Sequence, residues 1–270
     1  MAGGSTEWRG RSVISKVVSL LDAFSPDNPE LSLGDLARIT GLPVSTTYRL
    51  ASELVAWGGL ERADSGTGYR IGMRLWELGA LAPRGATLHE VAQPFMQDLY
   101  SATRENVHLA VLDGREALYV DTVSGRSAVR VRSRRGGRLP LHATGVGKVL
   151  LAHAPEQLFE QVCAGGLRRH TVHTVTAPAQ LRSELAEVRR TGVGYASDEM
   201  TVGSQSAAAP IIDGAGAVIA ALAVVQQTGR GDVLRLGVAV RTAANSISRV
   251  LLERTGPGRS AHLSGAKLRQ

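Results

Sequence analysis

The sequence is poor in cysteine and in aromatic residues, with one cysteine, Cys163, and 4% Phe, Trp and Tyr among 270 residues. A single cysteine excludes an internal disulfide and any metal site built from several cysteines. No apolar run approaches the roughly 18 residues needed to span a membrane, and the N-terminus lacks the apolar core of a signal peptide. We therefore expect a cytoplasmic protein without membrane contact. The length and the 43% hydrophobic content suffice for about two domains, each with its own core.

The net charge of +7 is weak evidence for nucleic-acid binding, because the positive charge is spread along the chain. Residues 1–82 contain 8 Lys and Arg against 9 Asp and Glu, so the excess of basic residues lies in the rest of the chain. Any binding of DNA by the N-terminal region has to come from the placement of individual arginines rather than from overall charge.

The stretch from Leu31 to Gly72 predicts two short helices joined by a tight turn and followed by a hairpin. Ser32 and Asp35 have the spacing of a capped helix start, and Gly41 can end this helix in the left-handed conformation. The second helix is predicted to begin near Pro43, whose missing N–H is not needed in a first turn. Its predicted buried stripe consists of Leu50, Leu54 and Trp57.

The start of the second helix and the hairpin provide candidates for DNA contact. Hydroxyl and arginine side chains at a helix start can meet phosphates and base edges in the major groove. The hairpin has the size of a wing, and each of its strands carries an arginine. The candidate DNA-binding residues are Ser45, Thr46, Thr47, Tyr48, Arg49, Arg62 and Arg70. The pattern is typical of a winged helix-turn-helix, with an ordinary helical pair on a small sheet as the alternative.

A helix over residues 12–24 is predicted ahead of this module, and residues 73–83 form a helix that ends at a proline. Within the second of these helices, Trp76 is expected to be buried in a core, with a dimer contact as the alternative. We assign residues 12–72 to a DNA-binding domain, 73–83 to a linker helix, 84–254 to a second domain, and 256–270 to a disordered tail.

The region after the linker predicts an α+β domain. A capping box at Thr87 and Glu90 opens a helix that continues to about Thr103. Alternating apolar residues then predict antiparallel strands over residues 107–112, 116–123 and 128–134. In the last strand, arginines alternate with Val131 and Ser133 and are expected on the solvated face. Further helices are predicted over 155–163, 178–191 and 231–254.

Two later motifs give the chain a resemblance to a known family. LPLHATGVGK, residues 139–148, indicates a loop that leads into a helix, and GYASDEMTVG, residues 194–203, is followed shortly by AAAP. With the winged helix-turn-helix ahead of them, these motifs resemble the IclR family of bacterial transcriptional regulators from residue 12 to about residue 254. The resemblance implies a GAF-like C-terminal domain with a mainly antiparallel sheet flanked by helices.

The same resemblance implies a homodimer or homotetramer that binds operator DNA and a small effector, often a carboxylate. Glycines before a helix bring backbone N–H groups close to a ligand, and a helix N-terminus favours a carboxylate. The candidate effector-binding residues are Val131, Gly145, Val146, Gly147, Asp198, Glu199, Ser206, Ala223 and Val225. The choice between Asp198 and Glu199 stays open, because the segment between Gly194 and Gly203 is about two residues shorter than the common family pattern.

The candidate pocket departs from the family pattern in its polarity. Ser206 stands where the family usually has a cysteine, and Ala223 and Val225 offer few hydrogen-bonding groups. We therefore expect a pocket more apolar than the carboxylate-rich examples in the family, suited to an aromatic or alkyl acid.

Other chemistries have little support in the sequence. The run Gly145–Lys148 lacks the Ser or Thr that follows the lysine of a nucleotide-binding P-loop. His170 and His173 have no suitably spaced acidic or cysteine partner, and no base is identifiable near Cys163. We expect neither an enzyme nor a bound metal or cofactor. Two alternatives stay open, namely an architectural DNA-binding dimer without a ligand, and an enzyme with an accessory N-terminal domain.

Overall fold

The computed structural model describes residues 12–25, 27–63, 66–81, 83–125, 128–129 and 131–255. The chain divides into two compact units, Met1–Ala86 and Thr87–Gln270. The predicted tail, residues 256–270, lies outside the described residues. Within the described part of the chain, no helix combines the length and the apolar character needed to cross a membrane.

The N-terminal unit consists of helices packed with a small three-stranded sheet. Its elements are α1 (Val13–Asp22), β1 (Glu30–Ser32), α2 (Leu33–Thr40), α3 (Val44–Trp57), β2 (Leu60–Arg62), β3 (Gly68–Ile71) and α4 (Met73–Ala80). Strand β3 lies between β1 and β2 and is antiparallel to both. The helix pair α2–α3 and the hairpin β2–β3 follow one another in the order of a winged helix-turn-helix.

Local sequence chemistry fixes the ends of α2 and α3. The Ser32 hydroxyl oxygen accepts a hydrogen bond from the Asp35 amide at 3.1 Å and so caps α2. Gly41 follows α2 with φ 69° and Gly58 follows α3 with φ 83°, a left-handed conformation that glycine adopts without steric cost. The largest buried side chains of this unit, each at most 1% exposed, are Leu20, Leu36, Leu50, Leu60 and Tyr69.

Two predictions about tryptophans in this unit are wrong. Trp57 is 47% exposed, because its ring lies over the backbone of the turn after α3 and not in the core. A Cβ placed on Gly59 would come within 2.4 Å of that ring. Trp76 is 67% exposed, whereas Leu75 is the half-buried residue of α4. Neighbouring helical residues point about 100° apart, so burial of Leu75 turns Trp76 towards solvent.

The second unit is built around a six-stranded antiparallel sheet. Its elements are α5 (Pro83–Thr103), β4 (Asn106–Asp113), β5 (Glu116–Val123), β6 (Arg138–Pro140), a 3-10 turn (Leu141–Ala143), α6 (Gly145–Ala152), α7 (Glu156–Ala164), α8 (Pro178–Thr191), β7 (Gly194–Ser197), β8 (Ser204–Ile212), β9 (Val218–Gln227) and α9 (Val233–Thr255). The strand order is β6-β5-β4-β9-β8-β7.

Each face of this sheet has its own core. One core joins the sheet to α6, α7 and α8, with Val149, Phe159 and Leu181 buried in it. The other joins the sheet to α5 and α9, with Met96 and Ile247 buried in it. The side chains of successive strand residues point to opposite faces of the sheet, so a single strand contributes to both cores. The predicted α+β class, with a mainly antiparallel sheet flanked by helices, is confirmed.

Two local predictions in the second unit are wrong. Helix α5 begins at Pro83, so Thr87 lies inside the helix and cannot be its N-cap. The described residues of segment 128–134 form no strand, because the chain just before and within β6 occupies the sheet edge beside β5. The Tyr119 amide donates to the Gly137 carbonyl at 2.9 Å, which shows this pairing. Arg130 lies outside the described residues.

Candidate functional site

The first turns of α3 present polar side chains to solvent. Ser45 is exposed, Thr46 is half-buried, and Tyr48 is 53% exposed. The Arg49 side chain is 61% exposed, and its guanidinium lies 3.0 Å from Glu53 Oε1 one turn further along. The N-cap residue of α3 is a proline, which makes no side-chain hydrogen bond to the helix start. The first amides of α3 are therefore suited to an external anion such as a phosphate.

Thr47 does not belong to this surface. Its side chain is fully buried, and its hydroxyl donates to the Pro43 carbonyl at 3.0 Å. Thr47 shares the inner side of α3 with Leu50, three residues further on. The expectation that Thr47 contacts DNA is therefore wrong.

The two wing arginines have different surroundings. The Arg62 guanidinium lies 4.3 Å from the centre of the Tyr69 ring, a cation–π contact that steadies an exposed side chain. Arg70 Nε lies 3.3 Å from Glu61 Oε2, so a carboxylate already balances part of its charge. Both arginines remain exposed on strands that flank the wing.

A cavity lies in the second unit beside the start of α6. It encloses about 470 Å³ of space, part of which is open to solvent. Seven of the nine candidate effector-binding residues line it, namely Val131, Gly145, Val146, Glu199, Ser206, Ala223 and Val225. Leu139, Ala143, Ala196 and Met200 add to its apolar walls.

The start of α6 forms one end of the cavity. Thr144 is the N-cap, and its hydroxyl oxygen accepts a hydrogen bond from the Gly147 amide at 3.1 Å. Within the described residues, the amides of Gly145 and Val146 have no acceptor, so they can serve a ligand. A Cβ on Gly145 would lie 2.8 Å from Ser206 Oγ, so glycine lets the helix start approach β8 closely.

Gly147 was a candidate ligand contact but does not line the cavity. Its amide is committed to Thr144, and a Cβ at this position would lie 2.5 Å from the Leu141 carbonyl oxygen. The glycine therefore serves close packing of the turn before α6, and its expected role in effector binding is wrong.

Asp198 also lies outside the cavity lining. Its backbone is left-handed, with φ 57°, and its Oδ1 accepts hydrogen bonds from the Gly203 amide at 2.6 Å and the Thr228 hydroxyl at 3.0 Å. Asp198 therefore shapes the loop before β8, and its expected role as a ligand contact is wrong. Of the acidic pair, Glu199 is the member at the cavity.

Glu199 is a buried carboxylate held by a buried lysine. Glu199 Oε1 lies 2.5 Å from Lys148 Nζ, and Lys148 also lies 2.7 Å from Glu184 Oε2. Burial raises the pKa of the Glu199 carboxyl, and the positive charge of Lys148 opposes that rise. Glu199 Oε2 is buried without a hydrogen-bond partner among the described residues. A ligand that brings a donor to this atom would satisfy it.

His108 and Tyr119 line the cavity although sequence reasoning missed them. His108 is 1% exposed, its Nε2 lies 3.1 Å from Ser133 Oγ, and its ring meets Tyr119 edge-on at 5.5 Å. Burial lowers the pKa of His108 to about 4, so its ring is neutral at pH 7, and burial raises the pKa of Tyr119. The one sequence signal was strand alternation, which sets His108 on the face opposite to its apolar neighbours.

Two family models match the chain. The IclR helix-turn-helix domain matches residues 13–64, and the C-terminal domain of the bacterial transcriptional regulator IclR matches residues 82–249. The second match alone spans more than half of the chain. The chain belongs to the IclR family. As a family member it is a transcriptional regulator with a DNA-binding helix-turn-helix domain, and the resemblance seen in the sequence is confirmed.

Individual IclR-family proteins match over most of their length. XynR of Escherichia coli strain K12 is 32% identical over 220 residues, which cover 81% of this chain and 87% of XynR. KdgR of the same strain is 32% identical over 241 residues, which cover 88% of this chain and 91% of KdgR. The crystal structure of an IclR homolog from Microbacterium hydrocarbonoxydans, complexed with 4-hydroxybenzoate, has a TM-score of 0.85 and 37% identity, covering 89% of this chain and 99% of that one.

Proposed function

We propose that this IclR-family regulator binds operator DNA with an affinity set by a small organic acid in the cavity of its second unit. Residues 12–72 bind DNA, residues 73–83 form the linker, and residues 84–254 bind the effector and hold the oligomer together. The cavity at the start of α6 carries the proposal, together with the 4-hydroxybenzoate complex of the similar Microbacterium protein.

The cavity favours an aromatic or alkyl acid. The amides of Gly145 and Val146 and the positive end of the α6 dipole suit a carboxylate. The apolar walls around them, including Val131, Ala223 and Val225, suit a ring or a short hydrocarbon chain.

The DNA contacts follow from the exposed side of α3. Ser45, Thr46, Tyr48 and Arg49 enter the major groove, while Arg62 and Arg70 meet phosphates beside the wing.

An effector changes operator affinity only if it binds more tightly to one arrangement of the two DNA-binding domains than to another. Half-sites lie about one helical turn or its multiples apart, so a small shift between these domains alters the fit.

The exposed apolar side chains of α4 support a homodimer, either alone or as half of a homotetramer. Met73 is 59% exposed, Trp76 is 67% exposed, and Leu81 just after the helix is 74% exposed. Neighbouring exposed apolar side chains of this size are typical of surfaces that are covered by a partner. A second copy of the chain would supply that cover, and two copies match the two half-sites of an operator.

Thermal unfolding of the full chain with a panel of small acids tests the effector assignment. At a free concentration of 100 times Kd, a ligand of the native state adds about 2.7 kcal/mol to the free energy of unfolding. We expect stabilisation by 4-hydroxybenzoate or benzoate, and a changed affinity for duplex DNA selected from a random pool. A flat response to the whole panel would favour the architectural dimer, and consumption of a panel compound would favour the enzyme. The described residues hold no cluster of three or more His, Cys, Asp or Glu suited to a metal.

A further inference from the structure

The second unit has a polar groove on the other side of the segment that precedes α6. The groove lies among the β4–β5 turn, β6, the end of α7 and the loop after α7, and holds about 1270 Å³ of space open to solvent. Leu139 and Ala143 line the effector cavity. Arg138, which precedes them, and Pro140, Leu141 and His142, which lie between them, line the groove. One short segment therefore forms a wall of both spaces.

Arginine charge is in excess along this groove. Arg138 is paired with Asp113, with 2.5 Å between Nη2 and Oδ2. Arg115 on the β4–β5 turn and Arg168 in the loop after α7 are exposed, and neither has an ion-pair partner among the described residues. Glu116 is the other acidic residue of the lining. The guanidinium groups of Arg115 and Arg168 therefore line the groove without a paired carboxylate among the described residues.

Two histidines lie in the groove, and one of them has a ring nitrogen that is available to an anion. The ring centres of His142 and His170 lie 5.9 Å apart, and His142 Nε2 donates to the Arg168 carbonyl at 3.0 Å. His170 Nε2 is buried and has no hydrogen-bond partner in the part of the chain that the structure describes. Burial, the His142 ring and the positive charge of Arg168 together lower the pKa of His170. An anion would satisfy the ring nitrogen and offset this positive charge.

The groove is also tied to the loop that shapes the effector cavity. Thr171, just after His170, donates to the Asp198 carbonyl at 2.6 Å. Thr174 donates to the Glu199 carbonyl at 2.7 Å. An occupant of the groove would therefore contact segment 138–142, which also helps to form the cavity wall, and segment 168–170, which lies next to the threonines that hold the loop of Glu199.

We propose that this groove is a second ligand site that binds a small polyanion through Arg115, Arg168 and His170. The ligand carries phosphate or paired carboxylate groups, since the planar guanidinium fork matches both. The site is separate from the effector cavity, and the proposal does not depend on which effector the cavity takes.

Isothermal titration of the full chain with inorganic phosphate and with citrate tests the site, with sodium chloride at matched ionic strength as the reference. We expect the double variant Arg115→Gln/Arg168→Gln to weaken binding at least tenfold. The matched control is Arg190→Gln, which removes an exposed arginine of α8 that pairs with Glu187 outside the groove. It should bind like the unmodified protein. Whichever of phosphate and citrate binds more tightly shows whether the site prefers phosphate or paired carboxylate groups. Either preference supports the site.

Hydrogen–deuterium exchange then locates the bound anion, which separates the groove from the DNA-binding surface. Phosphate or citrate should protect segments 138–146 and 168–174, and the double variant should lose this protection. Protection confined to α3 and the wing would overturn the proposal. Binding that survives the double variant unchanged, or that sodium chloride reproduces, would overturn it as well.

Discussion

Lys148 and Glu199 form a buried ion pair at the cavity, with 2.5 Å between Nζ and Oε1, although 51 residues separate them in sequence. Glu184 on α8 contacts the same ammonium group at 2.7 Å. The lysine thus joins α6, which begins at the cavity, to the loop of Glu199, which lines the cavity, and to α8. Removing one member of a buried pair leaves an uncompensated charge, which typically costs about 3–5 kcal/mol.

Lys148→Met should therefore lower the free energy of unfolding by about 3–5 kcal/mol, because two carboxylates lose their shared cation. Glu184→Gln should cost less, since Glu184 is 33% exposed and Lys148 keeps Glu199. Urea unfolding followed by circular dichroism measures both. An equal loss in the two variants would show that the ammonium group does not hold this part of the cavity together.

Acid should weaken the second unit through His108. The pKa of His108 is lowered from 6.5 to about 4 in the folded chain, so between these pH values only the unfolded chain binds the proton. The free energy of unfolding therefore decreases as pH falls through this window, by about 3 kcal/mol in total. His108→Gln should remove this contribution and flatten the pH dependence. Urea unfolding at pH 7 and pH 5 checks it, and identical pH dependence in both proteins would count against a neutral buried His108.

Gly145→Val should abolish the response to any small acid that binds the unmodified protein, while DNA binding is retained. Even a Cβ at Gly145 would reach 2.8 Å from Ser206 Oγ, so a valine displaces the helix start or fills the cavity. The control is Ala215→Val on an exposed turn far along the chain. Titration calorimetry and DNA-binding assays measure the two functions separately. A normal ligand response in the Gly145 variant would remove this loop from the effector site.

Arg49→Ala should weaken operator binding by about 1–3 kcal/mol and should reduce sequence preference, if Arg49 reads a base. Glu53→Gln should act in the opposite direction, because Glu53 competes for the guanidinium at 3.0 Å. The control is Arg38→Ala, which removes another exposed arginine, one on α2 that pairs with Asp35. Fluorescence anisotropy with selected and random duplexes measures both quantities. Unchanged affinity in the Arg49 variant would reject its role in reading DNA.

Features that depend on near neighbours in sequence could be predicted without coordinates. Ser32 and Gly41 bound α2 because capping and left-handed backbone are properties of one or two residues. The predicted helix 178–191 agrees with α8, Pro178–Thr191, because apolar spacing and an N-terminal proline are local signals. The two motifs around Gly145 and Glu199 likewise indicated the family before any geometry was known.

The tertiary structure alone decided which side chains meet. His108 lies opposite Ala223 because β4 pairs with β9. These two residues are 115 positions apart in the sequence, and the periodicity of either segment does not indicate how the two strands align. Thr47 is buried because the side of α3 on which it lies packs against the core of the first unit. Lys148 lies within an apolar run of the sequence, and the two carboxylates that it contacts, those of Glu184 and Glu199, belong to separate elements. The sequence determined the elements and the family, whereas long-range packing determined the cavity and the groove, since both are formed between elements.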